Sequence, residues 1–142
     1  PSRPRAVARH KEPAMRIEHL AYQTPDPVAA ANWYVANLGF SIARQVDAVP
    51  FARFLKDSSG GVMLEIYNNP DAPIPDYAAM DPLVLHLAFV SDNVQADRRR
   101  LIAAGATPVG DVTIAPNGDK LAMLRDPWGL AIQLARRADP ML

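Results

Sequence analysis

His19-Leu20-Ala21-Tyr22 returns 67 residues later as His86-Leu87-Ala88-Phe89. A second stretch, Phe54-Leu55-Lys56-Asp57-Ser58-Ser59-Gly60, returns at an offset of 69 as Met123-Leu124-Arg125-Asp126-Pro127-Trp128-Gly129. Two matches at nearly one offset mark an internal duplication, which has to be recognised before any element is assigned. Each copy carries one His near its start and one Glu or Gln near its end: His19 with Glu65, then His86 with Gln133.

The elements follow from pattern and punctuation. In the first copy a strand is expected within 15–23. Asp26 then stands as an N-cap, with Pro27 at the first helical position. Val28, Ala31, Val35 and Leu38 share one face at helical spacing, and Gly39 sits where a C-terminal cap belongs. Strands are expected near 40–47, 51–57 and 61–67, the last two joined through Ser58-Ser59-Gly60-Gly61. Residues 68–82 contain Pro70, Pro73, Pro75 and Pro82 and read as an irregular linker. The order then repeats: a strand over 83–90, a helix over about 93–104 capped by Ser91 or Asp92 and ended by Gly105, and strands near 107–114, 119–125 and 130–135. Each half is therefore βαβββ, and the fold class is α+β. The boundaries are a flexible tail 1–14, a domain 15–136 made of module one (15–67), the linker and module two (83–136), and a C-terminal tail 137–142.

Strand side chains alternate between two faces. His19, Glu65, His86 and Gln133 all fall on the face opposite the large aliphatic residues, with Ala beside them in three of the four strands. Small neighbours leave room for a ligand. A lone strand His is usually a surface or satisfied core residue, but four such residues at equivalent repeat positions point to a metal site between the copies.

Composition narrows the classes. Apolar residues make up 49% of the 142-residue chain and charged residues 21%, which suits one soluble domain with a buried core. Zero formal net charge supplies no field for nucleic acid or an anionic membrane. No apolar run reaches the length of a membrane span. Cysteine is absent, which excludes disulfides, thiolate metal sites and cysteine nucleophiles. Pro1 to Pro13 is basic without an apolar h-region, so no secretory signal is read there and a cytoplasmic location is expected. Arg98-Arg99-Arg100 reads as a solvated helix face, Trp33 and Tyr34 as helix packing, Trp128 as a shield at the barrel end, and His10 as an idle tail residue.

Several segments together carry a family resemblance. They are Ile17-Glu18-His19-Leu20, Asn32-Trp33-Tyr34 leading to Leu38-Gly39-Phe40, Met63-Leu64-Glu65-Ile66, Leu85-His86-Leu87-Ala88, and Asp126-Pro127-Trp128-Gly129 through Ile132-Gln133-Leu134. On these residues the chain resembles the vicinal oxygen chelate superfamily, which includes glyoxalase I, bleomycin resistance protein, methylmalonyl-CoA epimerase and extradiol dioxygenases. The resemblance implies two βαβββ modules forming an incomplete barrel around one divalent ion (Zn, Ni, Co, Mn or Fe), held by His19, Glu65, His86 and Gln133. It implies a homodimer, with modules pairing within one chain or swapping between two.

Two imidazoles, a carboxylate and an amide oxygen are a ligand set for such ions. The amide at Gln133 departs from the two-His, one-carboxylate set of the dioxygenases. A single carboxylate departs from the two usual in glyoxalase I. The expected function is a metal-dependent lyase or isomerase of the glyoxalase or epimerase type, acting on a small substrate with vicinal oxygens. Glu65 is the candidate base and Tyr67 a candidate substrate contact. The alternatives are an Fe(II)-dependent ring-cleaving dioxygenase and a non-catalytic small-molecule (drug) binding protein.

Overall fold

The computed structural model describes residues 14–142, so the expectations for His10 and for nearly all of the N-terminal tail lie outside the described residues. Module one runs β1 (His19–Gln23), α1 (Pro27–Leu38), β2 (Ser41–Gln45), β3 (Arg53–Lys56) and β4 (Met63–Tyr67). Module two runs β5 (Leu87–Val90), α2 (Val94–Ala103), β6 (Thr107–Ile114), β7 (Lys120–Arg125) and β8 (Ala131–Arg136). Each module is a four-stranded mixed sheet, ordered β1-β4-β3-β2 in the first and β5-β8-β7-β6 in the second. The first and last strands of a module pair in parallel, and the other pairings are antiparallel.

The helix starts obey local chemistry. The Asp26 carboxylate accepts from the Ala29 amide, with Pro27 at the first turn, and Gly39 closes α1 at φ 72°, a left-handed conformation that glycine adopts without strain. The cap of α2 is Asn93, whose side chain accepts from the Ala96 amide, rather than Ser91 or Asp92. Ser91 instead donates its hydroxyl to Asp97 at 2.6 Å.

Three further expectations are corrected. The strand expected over 83–90 begins only at Leu87, so His86 lies just outside it. Asp81 accepts from the amides of Leu83 and Val84 and holds that stretch in a turn instead. The buried stripe of α1 is Ala30, Ala31 and Tyr34, while Val28 and Val35 remain exposed. Both stripes satisfy helical spacing; small Ala residues let the helix approach the sheet closely and leave room for the Tyr34 ring. Arg98 and Arg100 are not merely solvated, because they donate to the carbonyls of Gly110 and Asn37.

Leu55, Leu64 and Ile66 pack under α1, and Leu124, Ile132 and Leu134 occupy the matching places under α2. The modules then dock through their helix sides. Trp33 Nε1 donates to the Ala104 carbonyl at 2.8 Å, and Phe40 meets Phe89 edge to face. The Tyr34 hydroxyl donates to Asp126 Oδ2 at 2.7 Å. Trp128, expected to shield a barrel end, packs against the core of module one. Arg125 ties the linker down by donating to the carbonyls of Tyr77 and Met80. At Gly129 a Cβ would stand 2.8 Å from the Ala78 backbone nitrogen, so this turn accepts no side chain. Because the modules meet by their helix sides, their opposite sheet faces point outward, and the two sheets do not close into a barrel within one chain.

Candidate metal centre

In module one the alternation read from sequence holds on β4. Leu64 and Ile66 are buried, whereas Met63, Glu65 and Tyr67 are half-buried on the outer face. The register sets Glu65 beside Ala21 on one side and Phe54 on the other. His19 Nε2 then lies 3.2 Å from Glu65 Oε2, with the side chains 35% and 20% exposed. That spacing bears on metal binding. Two donors about 2.1 Å from one ion, at roughly a right angle, stand about 3 Å apart. His19 and Glu65 therefore fit as neighbouring ligands of one divalent ion.

The orientation of each imidazole is set by its other nitrogen. His19 Nδ1 lies 3.0 Å from Glu18 Oε1, and His86 Nδ1 lies 2.8 Å from the Pro82 carbonyl oxygen. A carbonyl can only accept, so His86 Nδ1 carries the hydrogen in its bond; His19 has a carboxylate at each nitrogen, and its tautomer decides which one donates. With Nδ1 as the donor, Nε2 is the ligand atom, the arrangement that metal-binding histidines use. Phe54 contacts the His19 ring edge to face, with centroids 5.7 Å apart, and steadies it further.

Gln133 sits on β8 between Ala88 of β5 and Met123 of β7, half-buried on the outer face of module two. His86 precedes β5, half-buried, with Nδ1 against the Pro82 carbonyl. Of the four candidates, His19 and Glu65 meet within module one, whereas His86 and Gln133 belong to module two; the two pairs are the candidate half-sites. Among the described residues no three His, Asp or Glu side chains converge where one ion could be held, so His86 does not join His19 and Glu65 within the chain.

Sequence reasoning passed over Glu18, Phe54, Arg44 and the Pro82 carbonyl. Glu18 was legible as a neighbour of His19, but two adjacent strand residues nominally face opposite ways. Phe54 and Arg44 reach the site only through the pairing of β2 with β3 and of β3 with β4.

The buried polar group that unites the modules lies on their helix sides. Asp126 Oδ1 accepts from the amides of Trp128 and Leu130, and Oδ2 from Tyr34. Burial pushes the Asp126 carboxyl above its ordinary value, against the lowering effect of those hydrogen bonds. Burial likewise raises the Tyr34 and Tyr22 hydroxyls.

A family model described as the Glyoxalase/Bleomycin resistance protein/Dioxygenase superfamily matches residues 16–134. Among solved structures, the protein SMU.1112c is similar at 29% identity and TM-score 0.66, over 89% of this chain and 100% of that one. TnmS3, an antibiotic binding protein from Streptomyces sp. CB03234, is similar at 23% identity and TM-score 0.67, over 88% of this chain and 98% of that one. A glyoxalase I mutant from Zea mays is similar at 22% identity and TM-score 0.69, over 87% of this chain and 46% of that one. The last two likenesses concern the fold. Comparison with curated proteins finds no significant match.

Proposed function

The chain belongs to the glyoxalase/bleomycin resistance protein/dioxygenase superfamily, and on that premise we propose that it is a metal-dependent lyase or isomerase acting on a small substrate with two neighbouring oxygens. The observation that carries this reading is the His19–Glu65 pair at ligand spacing, with the Nδ1 atoms of both His19 and His86 already engaged. The holding set is His19 and Glu65 of one subunit with His86 and Gln133 of the partner subunit, in a homodimer. Support for the shared site comes from the docking of the modules by their helix sides, which leaves the two half-sites of one chain apart.

The unpaired outer edges of β1 and β5 fit the same assembly. β1 pairs only with β4 and β5 only with β8, and Leu20 on β1 and Val90 on β5, with Ile17 and the turn residues Leu83 and Val84 ahead of them, are exposed apolar side chains. Such edges are normally covered.

When bound, a divalent ion supplies Lewis acidity toward the neighbouring substrate oxygens. Glu65, through Oε1, takes the proton from the adjacent substrate carbon and returns it at a second position. Tyr67, two residues along β4 on the same face, donates a hydrogen bond to a substrate oxygen. A positioned carboxylate base contributes about 10²–10⁴-fold to such a step.

The first test is metal per chain by elemental mass spectrometry, together with solution mass by light scattering. About one divalent ion per chain in a dimer supports the reading. A metal-free protein that takes up none of Zn, Mn, Ni, Co or Fe overturns it and favours a small-molecule binding protein. Glu65→Gln is expected to abolish exchange of substrate hydrogen with deuterated water.

A further inference from the structure

The outer face of module one holds more than the two ligands. Arg44 pairs with Phe54 across β2 and β3, and its Cζ stands 5.8 Å from the Phe54 ring centroid, while that ring contacts His19 on the same face. Lys56 lies two residues beyond Phe54 on β3, beside Met63. Arg44, Lys56, Phe54, Met63, Ala43 and Glu18 line an open cleft of about 280 Å³ next to the half-site.

The charges on this face are not balanced pairwise. Both acids, Glu18 and Glu65, are turned to the two nitrogens of His19. Arg44 and Lys56 make no ion pair among the described residues. The two cations thus offset the two acids in number but not in contact, and a bound divalent ion would leave the face strongly positive. Long-range attraction and a guanidinium fork then both favour an anionic group lying just beyond the ion.

The corresponding face of module two differs: Arg125, which the repeat sets at the place of Lys56, already donates to the carbonyls of Tyr77, Met80 and Gly129. The registers place Leu121 and Met123 of β7 beside Ala135 and Gln133 of β8, with Ala88 and Val90 of β5 on the other side. The repeat therefore keeps a cation at the place of Lys56 in both modules, and the Arg44–Lys56 pair beside a His–Glu pair belongs to module one.

We infer that the substrate carries an anionic group, a carboxylate or phosphate separate from its two chelating oxygens, and that Arg44 and Lys56 bind it across Phe54. The inference rests on the metal-site reading above. It is tested with the full chain loaded with Zn²⁺ and two probes, a five-carbon 2-oxo dicarboxylate and the 2-oxo monocarboxylate of equal length that lacks the distal acid. Titration calorimetry is expected to give about tenfold tighter binding of the dicarboxylate, one charge-assisted contact's worth. That preference disappears in the Arg44→Gln/Lys56→Gln variant and survives Arg99→Gln, which removes a cation from the exposed side of α2. Zinc uptake with equal binding of the probes, binding of neither, or a preference that survives the double substitution overturns the anionic substrate alone. Failure to take up zinc overturns the metal reading and this inference with it.

Discussion

The two modules share one topology and one buried face, yet their outer faces have diverged. Leu55, Leu64 and Ile66 in one and Leu124, Ile132 and Leu134 in the other do the same packing. Outside, module one presents His19, Glu65, Arg44 and Lys56, whereas module two presents Gln133 among Ala, Val, Leu and Met, with Arg125 taken up by the linker carbonyls. The buried face must match a helix to be stable, so it tolerates little change. The outer face answers only to ligand and partner, and one copy is free to specialise in charge and the other in apolar contact.

The largest effect is expected from separating the half-sites genetically. His19→Ala and His86→Ala should each abolish metal binding alone. If the halves meet across two chains, unfolding and refolding the two variants together restores one intact site per mixed dimer, or about a quarter of the wild-type metal at equal mixing. No recovery, with mixed dimers shown by native mass spectrometry, would place the whole site within one chain.

Equivalent core positions should respond alike. Leu55 and Leu124 are both fully buried, and replacing either with Ala is expected to cost about 2–5 kcal/mol in urea unfolding. A cost confined to one module would show that the repeats do not share one core design.

The matching turns should respond differently. Asp57 accepts from Ser59 and Gly60 at the surface, whereas the buried Asp126 also bonds Tyr34 of the other module. Asp126→Ala is expected to cost about 3 kcal/mol and Asp57→Ala about 1 kcal/mol. The raised carboxyl of Asp126 fixes a sign as well. The folded state holds that proton more tightly than the unfolded chain, so the contribution is full below the ordinary value of 3.8 and is lost as pH rises from there through the raised value. The urea midpoint measured against pH should lose this downward component in Asp126→Asn.

The smallest effects concern the helix caps. Asp26→Ala and Asn93→Ala should each lower stability by about 1 kcal/mol, by thermal unfolding, since each side chain accepts one amide at its helix start. A large difference between them would mean that α1 and α2 depend unequally on their ends.

Much of this was legible in the chain. The repeat, the Asp26 cap, the Gly39 end, the βαβββ order and the outward alternation of Glu65 and Gln133 follow from local spacing, because capping and strand alternation depend on neighbours within a few residues. What spacing did not decide was the stripe of α1 that is buried, the start of β5 after His86, and the company His19 keeps. Those depend on packing, on a turn held by Asp81, and on strands β2 to β4 lying side by side. The parting of the half-sites is likewise tertiary: Tyr34, Trp33 and Asp126 draw the helix sides of the modules together across the whole length of the chain, and no local pattern records which faces of two repeats will meet.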